Sequence, residues 1–183
     1  MDIIIKPFNN LNILEIGVNE GKSLYMWKKY FKNSNIYGIS IKKNEIDINT
    51  KSEYKIFNGE LLNEEFLKKI CNSYPIGFDI IIDGRDTNCN DRIEVFEYLF
   101  SKMNPGGIYI IENLQISYSK TCDVNFVDYF KGKIDDVNYH GQFEENNFEC
   151  LVKKGKNFLK YERLIYGMSF HAGICFIFKR FCR

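Results

Sequence analysis

Several absences narrow what this chain of 183 residues can be. No apolar run approaches the ~20 residues that a helix needs to cross a bilayer, so no membrane-spanning helix is expected. There is no N-x-S/T sequon, and the opening MDIIIKPFNN has no basic segment leading into a secretory apolar stretch. Charge of one sign is also missing: 25 Lys+Arg stand against 24 Asp+Glu, a formal net charge of +1. That excludes the strong positive field with which a protein tracks an extended nucleic acid. The cysteines at 71, 89, 122, 150, 175 and 182 include no CxxC pair, so reduced thiols in a cytoplasm are expected. Cys89, Cys122 and Cys150 with His140 match no ordinary zinc spacing. Internal repeats, low-complexity tracts and linkers are lacking too, which leaves residues 1–183 as one expected domain.

What the chain does have is apolar and periodic. Hydrophobic residues make up 45% and aromatic residues 16%, enough for one sizeable core. Short β-branched runs alternate with amphipathic stretches, the pattern of strand–helix crossovers in an α/β fold built on a mostly parallel sheet. Strands are expected at 12–18 (NILEIGV), 35–41 (NIYGISI), 53–59 (EYKIFNG), 78–84 (FDIIIDG) and 106–114 (GGIYIIENL). Between them, Leu24, Trp27, Tyr30 and Phe31 recur at helical spacing, as do Phe66, Leu67 and Ile70, and then Ile93, Phe96, Leu99 and Phe100. These stripes read as core, and Asn63 and Asp91 read as helix N-caps. VNFVDYF predicts a short helix, 119–162 is poorly patterned, and ERLIYGMSFH with AGICFIFKR predicts a closing antiparallel hairpin turning at Ala172 and Gly173.

Two stretches carry chemistry. LEIGVNEGKS places Glu15 on a strand, Gly17 and Gly21 across a turn, and then a helix. Glycines there let backbone N–H groups approach a ligand closely. The departure from G-x-G-x-x-G argues against a dinucleotide. FDIIIDGRDTN ends a buried strand abruptly in Asp83, Gly84, Arg85 and Asp86, acids that either cap a turn or stand at the mouth of a site.

Taken with IYGISI and MNPGGIYIIENLQISY, these stretches resemble the class I S-adenosylmethionine-dependent methyltransferases, and more narrowly the sugar O-methyltransferases of the macrocin and mycinamicin type. The resemblance spans 12–118 and, less closely, the final hairpin. It implies a Rossmann-like, mostly parallel seven-stranded sheet with a C-terminal antiparallel hairpin. It implies S-adenosylmethionine as cofactor and Mg²⁺ as a candidate second one, with a sugar, nucleotide-sugar or glycan hydroxyl as acceptor. By the same resemblance Glu15, Gly17, Asn19 and Gly21 line the methionine end of the cofactor. Glu60 stands beside the adenine, and Asp83 belongs to the cofactor site as well.

Departures from the family pattern are specific. Ser40 stands where an acid would take both ribose hydroxyls, leaving Asn44, Glu45 or a water to supply the acceptor. After the fourth strand two registers compete. In one, Gly84 and Thr87 replace the metal aspartate and the histidine base. In the other, which matches Asp, Gly and Asn together, Asp83 is the metal ligand and Asp86 stands at the base. In both, Glu112 matches the family acid and Asn113 replaces its neighbour, so the metal set implied is Asp83, Glu112 and Asn113. The catalytic set is Asp83, Asp86 and Glu112. The chemistry requires such groups because a sugar hydroxyl is a poor acid, helped by a cation that lowers its pKa and a base that removes its proton. His171 and His140 remain as other bases. Arg85 is either a solvated turn residue or a clamp for an anionic acceptor.

Ser40, Asn113 and the missing histidine also suit a catalytically impaired domain of the same fold that serves for binding or assembly. A strand beginning near residue 12 leaves little chain to close over a cofactor, so the expectation is either an open site or one covered by a second copy or by a missing segment of a larger parent chain. No Asn/Asp-Pro-Pro-Tyr motif of amino-group methylation is present.

Overall fold

The computed structural model describes residues 10–40, 54–73, 77–87, 89–120, 122, 124–138 and 164–181. Seven strands form one sheet: β1 (Asn12–Ile16), β2 (Asn35–Ser40), β3 (Lys55–Asn58), β4 (Ile80–Asp83), β5 (Ile108–Ile111), β6 (Ile165–His171) and β7 (Ile174–Lys179). Their order is β3-β2-β1-β4-β5-β7-β6. The first five run parallel, and β7 pairs antiparallel with both β5 and β6. The α/β expectation and the closing hairpin are therefore both met.

Isoleucine runs form these strands because the sheet is packed on both faces. Leu14 and Ile16 of β1, Ile81 of β4 and Tyr109 and Ile111 of β5 enter one core, while Ile13, Ile82 and Ile110 belong to the other. Helix α1 (Lys22–Tyr30) serves the second core through Leu24 and Trp27, with Phe31 just beyond its end. Helices α2 (Glu64–Ser73), α3 (Cys89–Lys102) and α4 (Phe126–Asn138) serve the first. There Phe96 meets Phe100, Tyr109 and Phe130 at centroid separations of 4.9–5.1 Å. The aromatic stripes are core, with one exception: Tyr30 is 73% exposed, because the buried stripe of α1 passes through Leu24 and Phe31 instead.

Asn63 caps α2 as expected, its Oδ1 accepting the Phe66 N–H at 3.2 Å. Asp91 does not cap α3, which begins two residues earlier at Cys89. The VNFVDYF helix continues to Asn138. The thiol expectation is corrected as well. Cys89 and Cys122 form a disulfide across 33 residues, while Cys71 and Cys175 are free. No described helix is long and apolar enough to cross a membrane.

Candidate functional site

Strand order reverses between β1 and β4, and in open α/β sheets ligands bind beyond the carboxyl ends of the strands at such a point. Register brings Ile16 opposite Asp83 and Asp83 opposite Ile111, so the Gly17 turn, the Asp83 loop and Glu112 emerge side by side.

Gly17 and Gly21 both hold positive φ, at 93° and 73°. The turn is anchored from below, with the Gly17 and Val18 N–H groups donating to the Ile39 carbonyl at 3.0 and 3.1 Å. Gly21 is the N-cap of α1. Gly21 is buried, and a Cβ there would lie 3.8 Å from the Tyr54 hydroxyl, ordinary van der Waals contact, so the helix start is not crowded by its neighbours. At Gly17 the space is already taken, since a Cβ would lie 2.9 Å from Arg85 Cγ.

Glu15 is tied to α1. Its carboxylate accepts from Ser23 Oγ at 2.5 Å and Trp27 Nε1 at 3.0 Å. Burial pushes its carboxyl above the ordinary carboxylate range, the two hydrogen bonds pull it down, and the nearby Glu112 charge pushes it up again.

Asp83 is the centre of the cluster and is 1% exposed. Arg85 folds back on it with Nε 2.9 Å from Oδ1 and Nη2 2.7 Å from Oδ2, while the Arg85 backbone N–H donates to Oδ1 at 3.2 Å. Arg85 is therefore neither a solvated turn residue nor a free clamp: it is 3% exposed and paired. Arg92 enters from α3. Its Nη2 donates to the carbonyls of Asp83 at 3.0 Å and Glu112 at 2.7 Å, and its Nε lies 3.8 Å from Asp83 Oδ1. Burial pushes the Arg92 guanidinium below its usual value. Burial first, then the Asp83 charge, drives the Tyr109 phenol well above its own, and its hydroxyl donates to Asp83 Oδ2 at 3.5 Å.

Glu112 is exposed and reaches over Gly84, where a Cβ would lie 3.1 Å from its Oε2. Asn113, in the left-handed region at φ 58°, donates from Nδ2 to the Gly84 carbonyl at 3.1 Å. Among the described residues no group of three or more His, Cys, Asp or Glu is arranged to hold a metal.

The structure thus brings together Glu15, Gly17, Asp83, Glu112 and Asn113. Asp86 is exposed on the same loop, Asn19 is exposed in the glycine turn, and Glu60 is exposed beyond the end of β3. Ser40 is buried at the end of β2, its carbonyl accepting the Gly59 N–H at 3.4 Å. Asn44, Glu45, His140 and Cys150 lie outside the described residues. His171 is exposed at the hairpin turn, 2.9 Å from Ser169 Oγ. It joins Leu114, Tyr118, Val127, Ile134 and Phe170 in lining a largely apolar hollow of about 440 Å³. Gln115, which also lines it, has its Nε2 3.4 Å from the Oδ1 of Asn113, the residue after Glu112. Sequence reasoning missed Arg92, which reads as part of the polar side of an amphipathic helix. Its position three residues before Val95 and four before Phe96 was the available signal.

No protein-family model matches the chain. It is 36% identical over 117 residues to mycinamicin VI 2''-O-methyltransferase of Micromonospora griseorubida, covering 59% of this chain and 28% of that protein. It is 26% identical over 193 residues to 8-demethyl-8-alpha-L-rhamnosyl tetracenomycin-C 2'-O-methyltransferase of Streptomyces olivaceus, covering 95% of this chain and 47% of that one. The structure superposes on MycE methyltransferase from the mycinamycin biosynthetic pathway, in complex with Mg and SAH, with a TM-score of 0.76 and 27% identity. That match covers 93% of this chain and 46% of the other. The chain spans less than half the length of each of these relatives.

Proposed function

From a Rossmann-like class I methyltransferase fold and its likeness to sugar O-methyltransferases, we propose that this chain transfers a methyl group from S-adenosylmethionine to a sugar hydroxyl of a glycosylated metabolite or glycan. The supporting observation is the junction of β1 and α1, two positive-φ glycines beside acids from β4 and β5, in a fold that matches a methyltransferase holding SAH. The helix start at Gly21, with Gly17 and the exposed Asn19, would hold the methionine end of the cofactor. Glu60 would stand at the adenine end. When bound, the cofactor supplies an electrophilic methyl on a sulfonium, and such a transfer needs mainly an in-line approach in a dry pocket.

The chain's own part is to seat the acceptor and take its proton. The apolar hollow roofed by Tyr118 and Phe170 would seat the acceptor's hydrophobic portion. Asp86 and Glu112, the exposed carboxylates of the β4 and β5 ends, would receive the proton. Mg²⁺ accompanies MycE, but the acids here do not fit it as arranged: both Asp83 oxygens are spent on Arg85, and Asn113 supplies no charge. No step is assigned to a metal.

SAH should raise the melting temperature, since a ligand at about 100 times its Kd stabilises by about 2.7 kcal/mol. No shift and no heat of binding would end the proposal. Given a glycosylated acceptor, Asp86→Ala should lower kcat by about 10²-fold or more with SAH affinity retained, and unchanged turnover would remove Asp86 from the base position.

A further inference from the structure

The acid cluster at the β4 end already holds two positive charges. Arg85 meets both oxygens of Asp83 as a fork, at 2.9 and 2.7 Å, and Arg92 lies 3.8 Å from the same carboxylate. Arg92 also bridges the carbonyls of Asp83 and Glu112, fixing the ends of β4 and β5 relative to each other. We propose that Arg85 and Arg92 are the resident cations of this site. They neutralise Asp83 and tie the two strand ends together, leaving no Asp83 oxygen for a divalent ion, so the site operates without divalent metal.

Three observations carry this. A hard divalent cation takes several oxygen ligands, and Asp83 offers none while Arg85 is in place. Asn113 carries no charge, and its Oδ1 lies 3.4 Å from Gln115 Nε2, so of the three residues Glu112 alone offers an exposed carboxylate. An incoming dication would also meet two guanidinium groups at short range in a poorly hydrated place. Both guanidinium groups are nearly sealed from water, and the Arg85 stem lies against the Gly17 turn, so the charge is built in directly beneath that turn. Arg85 and Arg92 are thus positioning residues that fix Asp83 and the two strand ends.

The consequence for the proposed transferase rests on that reading: SAH affinity and methyl transfer should be indifferent to EDTA and to added Mg²⁺. The exclusion of metal does not rest on it. The full chain, stripped with EDTA, is titrated with Mn²⁺ by electron paramagnetic resonance, and separately with SAH by calorimetry with EDTA or Mg²⁺ present. The expected result is no Mn²⁺ binding that depends on Asp83, judged against Asp83→Asn, and equal SAH heats in the two buffers.

Arg85→Ala should unmask the carboxylate and raise Mn²⁺ affinity about 10-fold or more, the scale on which surrounding groups set a metal's affinity. Asp83→Asn in that background should abolish the gain. Asp83-dependent Mn²⁺ binding by the unsubstituted protein overturns the proposal, and so does a folded Arg85→Ala protein that gains none. Should Arg85→Ala fail to fold, the unsubstituted protein decides by itself. Absence of SAH heat in both buffers would instead defeat the methyltransferase reading while leaving the Mn²⁺ result to stand.

Discussion

Asp83 and Arg85 are two residues apart and spend their charges on each other almost out of reach of water. Forming such a pair gains little over an apolar pair, but losing one partner leaves a buried charge poorly matched, Asp83 with only Arg92 at 3.8 Å or Arg85 with no carboxylate, which costs up to about 3–5 kcal/mol. Arg85→Gln and Asp83→Asn should each destabilise on that scale in urea unfolding, and the double variant should lose much less than their sum. Additive losses would show that the two side chains are not paired in solution. Glu15 gives a prediction of the opposite electrostatic sense. Its carboxyl is raised in the folded state above the 4.5 of a free side chain, chiefly by burial. The folded chain therefore binds this proton more tightly than the unfolded chain. The stability contributed is full below the unfolded pKa and is lost as pH rises through the folded one. Against Glu15→Gln, the native protein should lose relative stability on titration upward from about pH 4.5, and a flat difference would contradict the burial of this acid.

At the scale of elements, two glycines separate conformational need from mere tolerance. Gly17 needs its φ of 93°, and a Cβ would press on Arg85 Cγ at 2.9 Å and on the Arg85 backbone nitrogen at 3.3 Å. Gly17→Ala should cost about 1–3 kcal/mol through strain at that turn and weaken SAH binding with it. Gly132 sits inside α4, and a Cβ there would meet nothing within 4 Å. Gly132→Ala should stabilise by about 0.5–1 kcal/mol in thermal unfolding and leave ligand binding unchanged. The elements themselves were legible wherever two-faced burial writes an isoleucine run: each of the five expected parallel strands exists, shortened at one or both ends. The trimmed residues, Gly17 and Val18 or Gly84, belong to the turns that carry the site, where side chains and backbone answer to neighbours far along the chain. Acids at strand ends were legible for the same reason, being breaks in an apolar run. Which cation each acid would meet was not. Arg85 reaches Asp83 only because the turn doubles back, and Arg92 does so only because α3 begins at Cys89.

Across the whole molecule, the sheet order places every candidate side chain of β1, β4 and β5 on one edge, and the disulfide fastens the layer beside it. Cys89 opens α3 directly after the Asp83 loop, and Cys122 lies between the 3-10 turn Leu114–Tyr118 and α4. These last two segments wall the apolar hollow. No spacing motif announces a pair 33 residues apart. Closing a loop of that length removes unfolded-chain entropy worth about 3–4 kcal/mol. Cys122→Ser, or reduction, should therefore lower stability on that scale. The loss should be accompanied by faster amide exchange in 114–130 and a weaker hold on any acceptor, with the sheet's exchange changed little. Cys175 provides the internal control. It is buried in β7, and burial pushes its thiol up to about 12. It should resist alkylation in the folded protein after Cys89 and Cys122 have been reduced and labelled. Labelling of Cys175 at the same rate would mean that reduction opens the sheet itself, making the disulfide a fastener of the whole fold rather than of the wall around the acceptor hollow.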